Sequence, residues 1–280
     1  MVPEYRRSRI LAALHLQERT SVNELAIQLG VSRETIRRDL TQLENSALLR
    51  KVHGGAVPLQ TATEPALRLR TAQHRIEKQL IGNRAARLFR AGDSLFIDAG
   101  STTTAFASAL AAVRGLTVIT NSLEVALRLG RVRDIGVHLL GGAFKPAGIE
   151  TVGAQVIEQI ATFHPDHAVL TVGAIDEDGN VCVFDHDEAT VARAMIRQAR
   201  SITLLADHSK FGRPALMPIC HLSQASRLVT DRMPPEALGD LLRAAKTEVI
   251  LADGGAPGRE TERTGGGRPA PRRHRTRREN

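Results

Sequence analysis

From residue 95 to residue 251 the sequence repeats one physical theme, a short apolar run followed by a stretch with helical spacing. The runs are Leu95–Asp98, Thr117–Thr120, Val137–Leu140, Ala168–Ala174, Ile202–Ala206, Leu228–Thr230 and Glu248–Leu251, with helical segments such as Ala105–Val113 and Leu123–Leu129 between them. A strand that is apolar on both faces must be covered on both faces. Parallel neighbours need a long crossover, normally a helix, and the helix supplies the cover. The pattern therefore predicts an α/β domain with an open, mainly parallel sheet and helices on both sides.

The first sixty residues follow another rule. Ile10, Leu11 and Leu14 share one face of a helix over about 6–17, and Ser21-Val-Asn-Glu24 is a capping box opening a second helix with Leu25, Ala26 and Leu29 inward. Gly30 ends that helix, Ser32 caps a third from Arg33 to about Asn45, and Ile36, Leu40 and Leu43 form its buried stripe. The sum is a helix-turn-helix. At 100° per residue, Glu34, Arg37, Arg38 and Thr41 point outward, with Arg33 and Thr35 at the exposed first turn. An arginine-rich face beginning at a helix N-terminus suits a major groove, where guanidinium groups read guanine edges or grip phosphate. Leu48–Val57 alternates around Gly54-Gly55 as a two-stranded wing does. Ser32, Arg33, Thr35, Arg37 and Arg38, with Arg50, Lys51 and His53 on the wing, are the candidate DNA contacts.

Charge divides the same way. Net charge is +3 over residues 1–60, zero over 61–256 and +5 over 257–280. A basic module joined to a neutral body points to a polyanion-binding unit attached to something else. The expected organisation is a winged helix-turn-helix over 1–57, a linker over 58–71, the α/β domain over 72–256 and a disordered basic tail over 257–280. A helix is expected from about Ala72 to Arg90. No apolar run reaches the roughly 18 residues of a membrane span, so a cytoplasmic protein without membrane contact is expected. Two cysteines, Cys182 and Cys220, form no redox or zinc pattern, and His164-Pro-Asp-His167 lacks further ligands, so neither metal nor cofactor is expected.

In open parallel sheets, ligands gather at the carboxyl ends of the strands. Asp98-Ala-Gly-Ser-Thr-Thr-Thr104 sits at such an end and runs into a helix, whose free amides and dipole favour phosphate. Gly100, Ser101, Thr102 and Thr103 are its candidate phosphate residues. Asn121, Gly142 with Lys145, and Asp207 with Lys210 follow later strands. The lysines suit a phosphate, and Asp98, Asn121 and Asp207 suit sugar hydroxyls. Asp185-His-Asp-Glu188 adds an acidic lip. No Walker A loop, dinucleotide fingerprint or nucleophile elbow occurs.

The run Ser32-Arg-Glu-Thr-Ile-Arg-Arg-Asp-Leu40 followed by Leu48-Leu-Arg-Lys-Val-His-Gly-Gly-Ala56 resembles the N-terminal signature of the DeoR family of bacterial transcriptional regulators. Asp98-Ala-Gly-Ser-Thr-Thr103, Thr120-Asn121, Gly141-Gly142 and Ala206-Asp-His-Ser-Lys-Phe-Gly212 resemble its effector-sensing domain. The resemblance covers about Tyr5 to Asp253. It implies a sensor fold related to sugar-phosphate isomerases and CoA transferases. It also implies a homo-oligomer, dimer or tetramer, that binds double-stranded operator DNA as a repressor and is released by a phosphorylated metabolite. Phe184-Asp185, Glu188 and Asp207–Arg213 look most like the glycerol-3-phosphate repressor branch. The chain departs from the family where many members carry an arginine near Lys145 and a Glu-x-Lys near Thr190-Val-Ala192, and in its Arg-rich tail. A competing reading is a sugar-phosphate isomerase or deaminase-like enzyme. It would need a carboxylate or histidine tuned for proton transfer, and it leaves the winged helix without a role.

Overall fold

The computed structural model describes residues 6, 7, 9, 10, 13, 14, 20–45, 49–52, 54–58, 66–213 and 215–252. The expected tail, residues 59–65 of the expected linker and His53 lie outside them, and nothing of the Arg50 side chain is described.

In the N-terminal unit, β1 (Thr20–Ser21), α1 (Val22–Leu29), α2 (Arg33–Asn45), β2 (Leu49–Val52) and β3 (Gly55–Pro58) make a winged helix-turn-helix, with antiparallel strand order β1-β3-β2. The Ser21–Glu24 capping box forms as expected, and Gly30 closes α1 in the left-handed region at φ 63°. Gly55 is required because a Cβ there would stand 2.2 Å from the Thr20 carbonyl oxygen. Ile10, Leu14, Leu25, Ile36, Leu40, Leu43 and Leu49 are buried together. Asp39, also buried, accepts hydrogen bonds from the Arg6 guanidinium at 2.5 and 3.2 Å.

The second unit continues with α3 (Leu67–Ala72), α4 (Arg75–Ala86), β4 (Ser94–Ile97), α5 (Ser101–Leu110), β5 (Leu116–Thr120), α6 (Leu123–Leu129) and β6 (Ile135–Leu139). Then come β7 (Ala143–Lys145), β8 (Glu150–Val152), α7 (Ala154–Ile160), β9 (His167–Thr171), β10 (Ala174–Ile175) and β11 (Asn180–Val183). The last elements are α8 (His186–Gln198), β12 (Ser201–Leu205), β13 (Met217–His221), β14 (Arg227–Thr230), α9 (Glu236–Ala245) and β15 (Glu248–Leu251). The main sheet has seven strands in the order β15-β14-β12-β9-β4-β5-β6, all parallel. Its faces carry two separate apolar cores, one around Phe96, Leu170, Met195 and Leu204 and one around Ile97, Phe106, Val118 and Val229. Each apolar run of the sequence is a strand of this sheet.

Three local readings are corrected. The helix expected from about Ala72 to Arg90 is α4, shorter at both ends, and a separate helix, α3, occupies the end of the segment read as linker. The break falls at Gln73, which is extended, and His74, which is left-handed at φ 48°. Lys78 of α4 stabilises it by donating to the carbonyls of Arg70 and Gln73 at 2.7 and 2.9 Å, which the helix end leaves open. The run Ala168–Ala174 is β9 followed, after Val172-Gly173, by β10, which turns away into an antiparallel sheet with β11 and β13. The stretch around Lys145, where the residue pattern predicts no strand, holds an antiparallel hairpin, β7 and β8.

Candidate functional site

On the N-terminal unit, α2 carries its apolar stripe inward and its arginines out. The Arg37 and Arg38 side chains are 66% and 79% exposed, loosely paired with Glu34 at 3.8 and 3.6 Å. Such surface pairs are worth at most about 1 kcal/mol, so a polyanion can take these arginines over. Arg33 is exposed as well. Ser32 is spent on the helix start, its Oγ accepting the Thr35 amide at 3.1 Å and lying 2.8 Å from Thr35 Oγ1. Lys51 lies beside the helix, its ammonium 3.1 Å from Thr41 Oγ1 and 3.6 Å from a Glu44 carboxylate oxygen.

In the larger unit the structure divides the expected effector residues: Asp98 and Asn121 line one space, Ser101 lines another, and the rest line neither. The first is a small cavity of about 20 Å³ lined by Asp98, Asn121, Glu150, Glu188 and Arg70 among others. Asp98 ends β4 and both its oxygens accept the Thr171 amide, at 3.1 and 3.0 Å, tying β4 to β9. Burial pushes its carboxyl well above the usual range, against the pull of the Thr171 amide and Thr103. Asn121 ends β5 and donates through Nδ2 to Glu150 Oε2 at 3.1 Å and to the Thr151 carbonyl at 3.0 Å. Glu150, at the start of β8, is raised to about 8, first by burial and then by the charge of Glu188. Lys145 sits at the edge, bound to Asp185 at 2.6 Å and Glu188 at 3.2 Å. Burial works against its charge, but these two carboxylates outweigh it and raise its ammonium pKa.

The second space is an open groove of about 750 Å³ lined by Arg68, Arg75, Lys78 and Arg128 with Ser101, Thr104 and Ser108, and with no carboxylate among the described residues. Here α5 begins. Gly100 is its N-cap, pressed so close to β9 that a Cβ would come within 2.3 Å of Thr171 Cγ2. No side chain caps this start; Thr103 Oγ1 turns back to the Gly100 carbonyl, and Ser101, Thr102 and Thr103 are buried. Lys78 links the groove to Asp207, 4.0 Å away. Although burial alone would raise Asp207, the charges of Lys210, Lys78 and His74, with the Ser209 hydroxyl, hold it below the usual carboxylate range. Lys210 ends a 3-10 turn, His208–Lys210, capped by Asp207. Gly142, like Gly100, Thr102, Thr103, Lys145, Asp207 and Lys210, lines neither space. A Cβ there would come within 2.6 Å of both the Val152 carbonyl and Val156, so it permits packing of the β7–β8 hairpin. Among the described residues, His74, Asp207 and His208 present possible metal-ligand atoms within 4.8 Å of one another. With two ammonium groups already facing Asp207, a cation there has little charge left to neutralise.

Residue patterns missed Arg70, Lys78 and Glu150. The first two sit in helices where a lone cation reads as a solvated face. Glu150 follows Gly148 and Ile149 in a stretch without periodicity, and a three-residue strand leaves no alternation to read.

A winged helix with exposed arginines, joined to a parallel-sheet unit with a polar site at its strand ends, is the build of a ligand-sensing DNA-binding transcription regulator. Two family descriptions match: "DeoR-like helix-turn-helix domain" over residues 6–62 and "DeoR C terminal sensor domain" over residues 73–232. The chain belongs to the DeoR family of transcriptional regulators. It is 35% identical to the HTH-type transcriptional repressor CsqR of Escherichia coli over 231 residues, 82% of this chain and 88% of that protein. It is 34% identical to the glycerol-3-phosphate regulon repressor of Haemophilus influenzae, over 91% of this chain and 99% of that one. It is 35% identical to the HTH-type transcriptional repressor GlcR of Bacillus subtilis, over 90% and 98%. A ribose-5-phosphate isomerase from Methanocaldococcus jannaschii superposes with a TM-score of 0.36 at 16% identity, over 48% of this chain and 53% of that one; a likeness at that level adds nothing to the argument. Among the described residues no helix is long and apolar enough to cross a membrane.

Proposed function

We propose that the chain represses a carbohydrate or polyol catabolic operon and leaves its operator when a phosphorylated sugar or a glycerol-3-phosphate-like metabolite binds the second unit. In this reading residues 1–57 hold the DNA, through Ser32, Arg33, Thr35, Arg37, Arg38, Arg50, Lys51 and His53, and residues 72–256 hold the effector. The observation that carries it is the start of α5. Buried hydroxyl residues at an uncapped helix N-terminus share with Lys78 a groove that holds no carboxylate among the described residues, and Lys78 continues to Asp207 and Lys210. That is the chemistry of a dianionic phosphate site. Asp98 and Asn121 adjoin it and face the rest of the ligand.

Helix α3 supports the coupling. It ends the segment 58–71 between the two units, places Arg70 in the acidic cavity, and places Arg68 and Thr71 in the groove. Its first amide, Leu67 N, donates to the Ala147 carbonyl of the β7–β8 hairpin at 2.9 Å. An effector entering either space shifts α3, and a ligand that binds the DNA-free arrangement better than the DNA-bound one drives release by that difference. The chain acts as a regulator and not as a catalyst in this reading, because the winged helix with its exposed arginines has no role in an enzyme. Function as a homo-oligomer, dimer or tetramer, completes the reading.

The test is operator release, with an operator selected from random DNA by the protein itself. Lys210→Ala should bind this DNA like the parent and need at least tenfold more phosphorylated effector for half-release. If every sugar phosphate and polyol phosphate leaves the parent complex intact, the reading fails.

A further inference from the structure

The acidic cavity asks for hydrogen-bond donors. Asn121 carries the telling atom. Its Nδ2 faces two acceptors, Glu150 Oε2 and the Thr151 carbonyl, so turning the amide over would set oxygen against oxygen. Its Oδ1 is therefore an acceptor, and it is buried with no hydrogen-bond partner among the described residues, in a side chain 1% exposed. A buried acceptor left unsatisfied costs about 1–3 kcal/mol and calls for an explanation.

Glu150 is held beside it by strained backbone. Ile149 stands at φ 53°, a conformation a β-branched residue rarely adopts, and a Cβ on Gly148 would lie 2.1 Å from Glu150 Oε1. The groups facing Glu150 are Asp98 at the end of β4, Glu188 on α8, Lys145 on β7 and Arg70 on α3, and Lys145 is committed to Asp185 and Glu188. The space they enclose, about 20 Å³, holds one water-sized group.

We propose that this cavity receives an ammonium group, so that the effector is an amino-substituted phosphorylated metabolite, its phosphate at the start of α5 and its –NH₃⁺ among Glu150, Glu188 and Asn121 Oδ1. The proposal rests on the phosphate-effector reading above and narrows it. An ammonium is about the size of a water molecule and offers three donors, one for each of these three acceptors; a hydroxyl offers one. Without ligand, burial and neighbouring carboxylates keep a proton on Glu150 near neutral pH. Binding exchanges that proton for the ammonium: Glu150–COOH and R–NH₃⁺ give Glu150–COO⁻ paired with R–NH₃⁺, and one H⁺ leaves to solvent.

The experiment uses the full-length protein and matched pairs of phosphorylated ligands differing by one group. The pairs are glucosamine-6-phosphate against glucose-6-phosphate, and 2-amino-3-hydroxypropyl phosphate against glycerol-3-phosphate. Calorimetry in buffers of different ionisation enthalpy gives affinity and proton release together. In at least one pair the amine should bind ten times tighter or better and release close to one proton. Its affinity should rise nearly tenfold from pH 6 to pH 7, while its hydroxyl partner shows neither effect. Glu150→Gln should bring the two members of that pair within about threefold of each other. Proton release by the parent protein needs no variant, so a poorly folded variant does not rescue the proposal. Equal or tighter binding of the hydroxyl members overturns the ammonium site and leaves the phosphate-effector reading standing. Binding by none of the four overturns the ammonium site, and operator release by any other neutral sugar phosphate then decides the broader reading on its own.

Discussion

The two units of this chain use the same charged residue types in opposite ways. On α2, Arg33, Arg37 and Arg38 stand in solvent, and the carboxylate near two of them lies 3.6 Å or more away. In the sensor unit, Asp98, Glu150 and Asp207 are buried, and each is fixed by specific donors or cations. An exposed charge contributes little to folding and is free to meet a partner. A buried one is part of the fold, and its protonation state is set by its neighbours. Charge changes on the first surface should therefore alter binding without altering stability. Changes in the second site should alter both, and should do so with pH.

Replacing Arg37 and Arg38 together with alanine gives the largest expected effect. An arginine that reads a guanine bidentately loses roughly 1–3 kcal/mol of operator affinity when truncated. Thermal unfolding should stay within about 0.5 kcal/mol of the parent, as for other exposed positions. Gel-shift titration at two salt concentrations separates base reading from phosphate contact, because loss of a phosphate contact weakens all sequences and reduces the salt slope by about one. A folded double mutant with parental affinity would remove α2 from the DNA interface.

Glu150→Gln tests the other half. Its carboxyl titrates near 4.5 when unfolded and at about 8 when folded, so between these values the folded chain holds a proton that the unfolded chain has lost. The stabilisation is complete below pH 4.5 and disappears as pH rises through 8, a difference on the order of a few kcal/mol. The glutamine variant should lose this part of the decline and exceed the parent in stability at pH 8.5. Denaturant melts at pH 5.5, 7 and 8.5 would show it; parallel declines in the two proteins would mean that Glu150 is ionised throughout.

What was legible in the sequence divides along the same line. Strands buried on both faces announce themselves by unbroken apolar runs, so all seven strands of the main sheet stand out, and so do α1 and α2, whose caps and inward stripes are local signals. The candidate site was half legible. Asp98, Asn121 and Asp207 end apolar runs and can be located from them. Glu150 cannot, because a hairpin of three-residue strands far along the chain brings it to Asn121, 29 positions away in sequence. Arg70 and Lys78 were hidden for a related reason. Their burial depends on the break at Gln73-His74, and that break is stabilised by Lys78 itself, a tertiary cause with no local signature.

Ser32 gives the smallest expected effect and the sharpest test of the boundary between the two uses of polar groups, since it is proposed as a DNA contact yet is occupied in folding. Its Oγ accepts the Thr35 amide at the start of α2. Ser32→Ala removes that cap and should lower the stability of the N-terminal unit by about 1 kcal/mol. Ser32→Asp restores a cap acceptor and suits the positive end of the helix dipole, so its stability should return to the parent's or pass it. The same aspartate sets a negative charge beside Arg33 and should weaken DNA binding more than the alanine does. Stability and affinity then change in opposite directions between the two variants. If Ser32→Asp instead stays as unstable as Ser32→Ala, the hydroxyl has a role at this turn beyond accepting one amide. If it binds DNA as the parent does, the start of α2 does not face the phosphate backbone.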